Sequence, residues 1–345
     1  MPPRWTADRA ADWLDRTGWL VGANYTPRTA SNALEFWQAE TFDPATIEEE
    51  LRWSAGLGFN CHRVYLHDLL WEDDAAGFLG RLDRVLDLFD ATGHRVVLTL
   101  FDDCWNPEPR LGPQPEPDPG VHNSRWAQSP ALSVKARWDA DDRRRVGDYV
   151  RGVVDHLRHR DTVALWDLYN EPGARPGNPS PTQGFASQPI LEDVFAWARE
   201  AEPDQPLTAG LHQFGDAFAE VNQRQRELSD VLSFHHYGPP EQLPEWTAEA
   251  RGDESATRPL VCTEYMARTR GCTFATHLPF FREHRIGALH WGLVDGRTQT
   301  KYAWDTPRPG EEPDPWFHEV LHADGSPYRD EEADLIRRLT GGAAT

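Results

Sequence analysis

Short β-rich runs alternate with amphipathic helical stretches along the chain. Apolar and β-branched residues gather at Trp19–Asn24, Asn60–Leu66, Arg95–Phe101, Val163–Tyr169, Pro206–Gly210, Val231–His236, Leu260–Glu264 and Ile286–Trp291. Several of these are almost continuous apolar runs, such as Val96-Val97-Leu98 and Val163-Ala164-Leu165-Trp166, the pattern of parallel strands covered on both faces. Helical patterns fill the gaps. Asp43–Gly58 opens with an Asp cap followed by Pro44 at the first helical position. Gly77–Thr92 repeats apolar residues at Phe78, Leu82, Val85, Leu86 and Phe89, and Arg143–Leu157 and Ile190–Ala201 follow the same logic. The fifth and sixth helices are weakly marked, yet the count reaches eight β/α units. Strict alternation predicts a parallel α/β fold, and eight units predict closure into a (β/α)₈ TIM barrel, here one domain over residues 1–345.

Three insertions follow strands: Tyr25–Phe42, Asp102–Asp139 with its Pro-rich stretch Pro107–Pro119, and Gly292–Pro315. In a barrel, loops after strands gather at the C-terminal face, where active sites form. Composition narrows the reading further. The formal net charge of -21 repels phosphate backbones and anionic membranes, so neither nucleic acid nor a membrane surface is an expected partner. No apolar run approaches a membrane span, and Met1–Gly18 is polar and charged, unlike a signal peptide, so the expected location is the cytoplasm. Cys61, Cys104, Cys262 and Cys272 fit neither a zinc spacing nor a disulfide framework and read as reduced thiols.

The strongest chemical signal is Trp166-Asp167-Leu168-Tyr169-Asn170-Glu171-Pro172, an apolar strand running straight into Asn-Glu-Pro. A second strand, Pro259-Leu260-Val261-Cys262-Thr263-Glu264-Tyr265, also ends on a glutamate. By count these are strands four and seven. Two carboxylates across one barrel mouth are the minimal machinery of glycoside hydrolysis, one to protonate the leaving oxygen and one to attack or to activate water. With these motifs in this order the sequence resembles the clan of retaining barrel glycosidases that includes cellulases, β-mannanases and β-galactosidases, and most resembles glycoside hydrolase family 5. The resemblance covers essentially the whole chain in strand order. It implies that Glu171, preceded by Asn170, is the general acid/base and that Glu264 is the nucleophile. It further implies that Arg63, in Cys61-His62-Arg63-Val64-Tyr65, hydrogen-bonds the nucleophile. His235 and Tyr237 resemble the strand-six His-x-Tyr, whose residues share one face while His236 points away. Trp291 matches the tryptophan that stacks on the sugar.

Other positions are less determined. Asp102 and Asp103, where many family members carry a histidine, serve either as sugar contacts or as loop caps. Trp37, Trp105, Trp126 and Trp304 lie in the insertions and either line the cleft or pack. His318-Glu319-Val320-Leu321-His322 matches the H-E-x-x-H zinc signature, but Pro313 and Pro315 precede it and Asp324-Gly325 follows, a poor context for a zinc helix; the family resemblance implies a short surface helix here, outside the mouth. No metal and no cofactor are expected. Burial and the neighbouring carboxylate are expected to raise the pKa of Glu171. The reading is a retaining β-glycoside hydrolase acting on small β-linked oligosaccharides or glycosides. The alternatives are an endo-acting β-glycanase, a transglycosylase with the same residues, a non-catalytic carbohydrate-binding barrel and a zinc-dependent peptidase.

Overall fold

The computed structural model describes residues 3–174, 187–252, 258–306 and 311–341. Eight parallel strands form: β1 Val21–Asn24, β2 Cys61–Tyr65, β3 Arg95–Thr99, β4 Val163–Asp167, β5 Leu207–Thr208, β6 Leu232–His236, β7 Leu260–Tyr265 and β8 Gly287–Trp291. Their order is β5-β4-β3-β2-β1-β8-β7-β6, and the seam between β5 and β6 is closed by a parallel bridge from Leu211 to Phe234. The fold is therefore the (β/α)₈ barrel expected from the alternation. Each expected strand is present, although β5 shrinks to two residues.

The helices form where the local chemistry allows. Pro44–Leu57 is capped by Asp43, whose carboxylate accepts the Thr46 N–H at 3.1 Å, and it ends at Gly58 with φ 84. The helix expected over Gly77–Thr92 starts earlier, at Asp68, and runs to Ala91 with a break at Asp74. The Asp74 side chain accepts the Gly77 N–H at 2.9 Å, so the expected start is a second cap inside a longer kinked element. The two weakly marked helices are Ala219–Leu228 and Leu243–Arg251.

An element outside the repeat, Ala7–Thr17, closes the bottom of the barrel. Its buried Trp13 donates to the Ala164 carbonyl at 3.1 Å, and the Trp5 N–H donates to Asp230 at 2.8 Å. These tryptophans join Cys61, Val97, Leu165, Val261 and Leu289 in an inner apolar cluster, separate from the larger cluster that includes the packed helices. Apolar filling is thus concentrated low in the barrel, and the polar side chains come together above it. Among the described residues no helix is long and apolar enough to cross a membrane.

One backbone approach sets the strand packing at β1. A Cβ built on Gly22 would lie 1.8 Å from the carbonyl oxygen of Cys61 in β2. Gly22→Ala must push β1 from β2 and is expected to cost about 3 kcal/mol, as over-packed cores do. Urea unfolding checks this; a variant within about 0.5 kcal/mol of wild type, the ordinary range for surface changes, would show that the sheet has slack there.

Candidate active site

Polar residues converge where the strand ends meet. Arg63, on the inward face of β2, is fully buried. Its Nε donates to Asp167 at 2.8 Å and its Nη2 to Asn170 at 2.7 Å. Its Nη1 reaches Asn24 at 2.9 Å, the Tyr65 hydroxyl at 2.5 Å and Glu264 at 2.7 Å. Glu264 also accepts from Tyr65 at 3.0 Å and from Tyr237 at 2.8 Å. Three donors therefore fix this carboxylate, one of them cationic.

Glu264 reaches the mouth through an irregularity in β7. Phe234 pairs with Cys262 but His235 pairs with Glu264, so Thr263 is skipped. A bulge of this kind re-aims the side chain that follows it. Glu171 is turned out of β4 by a left-handed backbone, φ 47, just before Pro172. Strain at such a position persists only where the surroundings enforce it. The Glu171 Oε1 accepts from His235 Nδ1 at 2.8 Å, and Oε2 accepts from the Cys104 thiol at 3.1 Å. His235 also lies 3.5 Å from Glu264, and one ligand-type atom from each of Glu171, His235 and Glu264 falls within 4.8 Å of the others. His236 points away, as expected, and pairs with His277 at 3.1 Å.

Burial raises the pKa of Glu171, but the charge of His212 and the hydrogen bond from His235 outweigh it, and the net direction is down. The expectation of a raised value is corrected here: it counted desolvation and the second carboxylate but not two histidines. Asp102 is pushed up to about 6 by burial.

A cavity of about 500 Å³ opens above the pair. Asn170, Glu171, Tyr237, Glu264 and Trp291 line it, together with Trp105, Trp126 and Trp304. Trp37 does not line it. That ring is buried against Phe36, with centroids 4.3 Å apart, and donates to the Tyr65 carbonyl at 2.9 Å. The aspartates take protein partners. Asp102 accepts from Asn170 at 2.8 Å and Trp126 at 2.6 Å. Asp103 lines the cavity, but its carboxylate is engaged by Lys135 at 2.6 Å, Tyr169 at 2.7 Å and the Gly173 N–H at 2.7 Å. Their contacts are those of loop caps.

The three insertions interlock around the opening. Arg297 bridges Glu35 at 3.1 Å and Glu116 at 2.8 Å, and Asn32 donates to the Arg125 carbonyl at 2.8 Å. Residues 307–310 of the third insertion lie outside the described residues.

The His318–His322 segment is a correction. It is not helical, and His318 is buried in the cavity wall. His322 instead packs on Trp316, ring centroids 4.6 Å apart. Glu319 accepts from Thr300 at 2.5 Å, and burial pushes its pKa up to about 8. A zinc pair on one helical face is therefore absent here. Sequence reasoning also missed Tyr65 and Asp167, although Tyr65 lies two residues from Arg63 on β2 and Asp167 two residues from the inward Leu165 on β4, which is the available signal. Asn24, Cys104, His122, Asn123 and His212 carried no such signal.

No family model matches the sequence, and no curated protein matches it. Solved structures do share its fold. An exo-β-1,4-mannosidase from Opitutaceae bacterium strain TAV5 superposes with a TM-score of 0.63 at 20% identity, over 94% of this chain and 60% of that one. GH5_18 from Streptomyces cattleya in complex with GlcNAc gives 0.63 at 15% identity, over 95% and 82% of the two chains. An endo-β-1,4-mannanase from Thermotoga petrophila gives 0.59 at 14% identity, over 95% and 77%. The chain thus spans less than two thirds of the mannosidase. It has the barrel fold of the family-5 glycosidases that its motifs resemble.

Two stability measurements test this description. Arg63→Met leaves Asp167 and Glu264 buried without their cation, and is expected to cost about 3–5 kcal/mol in urea unfolding; a silent substitution would contradict the central ion cluster. Glu319 behaves differently. Its folded pKa lies above the unfolded value of 4.5, so the folded chain keeps a proton that the unfolded chain releases. Its contribution is flat below 4.5 and declines by about 1.4 kcal/mol per pH unit up to the folded value. Glu319→Gln should therefore gain on wild type between pH 5 and pH 8. An equal gap at both pH values would refute the protonated carboxyl.

Proposed function

We propose that the chain is a retaining β-glycoside hydrolase that removes the terminal sugar from small β-linked glycosides. The observation that carries this reading is the closeness of Glu171 and Glu264, with oxygens within 4.8 Å and His235 between them. Inverting enzymes keep their carboxyl groups about 6.5–9.5 Å apart to admit a water, whereas retaining ones hold them about 5–5.5 Å apart. The donors on Glu264 support the role of nucleophile, because Arg63 pairs with it and the two tyrosines aim it.

In the first step Glu264 attacks the anomeric carbon while Glu171 gives its proton to the glycosidic oxygen, and the C–O bond to the leaving group breaks. In the second step Glu171 takes a proton from water, whose oxygen displaces Glu264 and restores the carboxylate. Without ligand, Glu171 is ionised and held by His235 and Cys104. Substrate that displaces solvent and approaches Oε1 or Oε2 must shift this balance toward the protonated acid. Trp291 offers an apolar face for the sugar ring.

The interlocked insertions favour a closed pocket over an open groove, and hence removal of one sugar from a chain end. The structural neighbours include a GH5_18 variant in complex with Manβ1-4GlcNAc, a mannosidase and a mannanase. A β-mannoside is accordingly the substrate class put forward for this chain.

Glu264→Ala is expected to lose turnover of an aryl β-mannoside almost entirely, while azide restores cleavage and yields the inverted α-glycosyl azide. Product analysis by NMR reads the outcome. Full activity in that variant, or rescue by azide in Glu171→Ala only with an α-azide product, would end the assignment of roles.

A further inference from the structure

One wall of the cavity holds polar atoms that no protein donor reaches. Asn123 is 1% exposed and lines the cavity, and its Oδ1 has no hydrogen-bond partner. His318 is 0% exposed and lines the same cavity, and its Nε2 is likewise unpartnered. His122 completes the group, with its ring centroid 5.3 Å from that of His318.

Backbone carbonyls fix both imidazole tautomers. His122 Nδ1 bonds the Tyr302 carbonyl at 2.8 Å, and His318 Nδ1 bonds the Met266 carbonyl. A carbonyl only accepts, so each Nδ1 carries the hydrogen and each Nε2 presents a lone pair. Burial pushes His122 down to about 4 and His318 well below the usual imidazole value, so both stay neutral near pH 7. Asn123 is held in a left-handed conformation, φ 46, by its N–H to the Thr298 carbonyl at 2.9 Å and by the Trp126 N–H to its own carbonyl at 2.9 Å. Buried acceptors left unpaired are unfavourable, and strained backbone persists at ligand sites, so the two together point to a bound partner that supplies donors.

The wall stands on the nucleophile's side. The His318 ring lies 5.6 Å from that of Tyr237, whose hydroxyl donates to Glu264. Trp304 packs on both, 5.0 Å from Tyr237 and 6.0 Å from His318.

We propose that Asn123, His122 and His318 form a subsite that reads the free hydroxyls of a neutral terminal sugar, a role that rests on the hydrolase reading above. Acceptors in a row require donors, and sugar O–H groups supply them. A uronate carboxylate supplies none and is repelled by Glu171 and Glu264. A sugar etherified or acylated at these hydroxyls also lacks the donor.

The test pairs variants with deoxy substrates. The probes are 4-nitrophenyl β-D-mannopyranoside and its mono-deoxy analogues at C3, C4 and C6. The variants are His318→Phe, which keeps an aromatic ring but is somewhat larger and loses both the acceptor and the Nδ1–H to the Met266 carbonyl, and Asn123→Gly, which suits the left-handed backbone. For wild type, at least one deoxy position should lower kcat/KM by about tenfold or more, the cost of leaving a buried acceptor unpaired. Each variant should lose a similar factor on the parent glycoside and lose nothing further on the deoxy glycoside that lacks its partner hydroxyl. Equal losses on every deoxy analogue, or none on the parent, would overturn the subsite while leaving the hydrolase intact. If His318→Phe does not fold, Asn123→Gly and the wild-type deoxy series still decide. Failure of wild-type protein to cleave any aryl β-glycoside would overturn the hydrolase reading, and the subsite with it.

Discussion

A buried guanidinium organises the mouth of this barrel. Arg63 sits on β2 and bonds side chains from β1, β4, β7 and the β4 loop, through Asn24, Asp167, Glu264 and Asn170. An arginine buried this deeply is tolerable only when its donors are matched by acceptors and its charge by carboxylates. Asp167 and Glu264 provide that charge. The same contacts that make the cation tolerable also fix where Glu264 points, so stability and site geometry depend on one group. Removing a partner does not simply weaken a bond; it strands a charge in a place without water.

Around that fixed floor the site is built by loops that hold each other. The second and third insertions share the Asn123–Thr298 and His122–Tyr302 hydrogen bonds, and Arg297 ties both to Glu35 of the first. Rigid walls matter for a sugar, which offers many weak donors and acceptors and little apolar surface. A wall of neutral, oriented acceptors discriminates by leaving buried groups unpaired when the wrong sugar enters. The aromatic surfaces of Trp105, Trp126, Trp291 and Trp304 add apolar faces without fixing identity.

Proton placement at Glu171 follows from its neighbours. His235 and Cys104 occupy its two oxygens, and His212 stands nearby with its own pKa lowered by burial. The ligand-free carboxyl is thus set for a different protonation state from the one that the proposed hydrolysis requires of it. The second carboxylate and burial push the other way, and substrate alters that balance by replacing solvent.

Much of this was legible in the chain alone. A two-residue period decides which face of a strand a side chain takes, so His235 and Tyr237 share one face and His236 takes the other, while the expectation for Arg63 came from the family resemblance. Nearly continuous apolar runs announced several of the strands, because a strand covered on both faces needs them, and the alternation with helical patterns supplied the rest. Tyr65 and Asp167 obeyed the same period and were readable in principle. What the sequence left undetermined are contacts made between segments far apart in the chain. Nothing local distinguishes Trp37, which packs in the outer core, from Trp126, which lines the cavity. Nothing local marks Thr263 as the skipped residue, since register depends on how β6 and β7 are brought together. His318 looked like part of a metal motif on a surface helix, and only the meeting of the final loop with His122 and Tyr237 put it in the cavity wall. Periodicity is a property of a segment and survives in the sequence; loop encounters are set by the closure of the barrel and exist only in three dimensions.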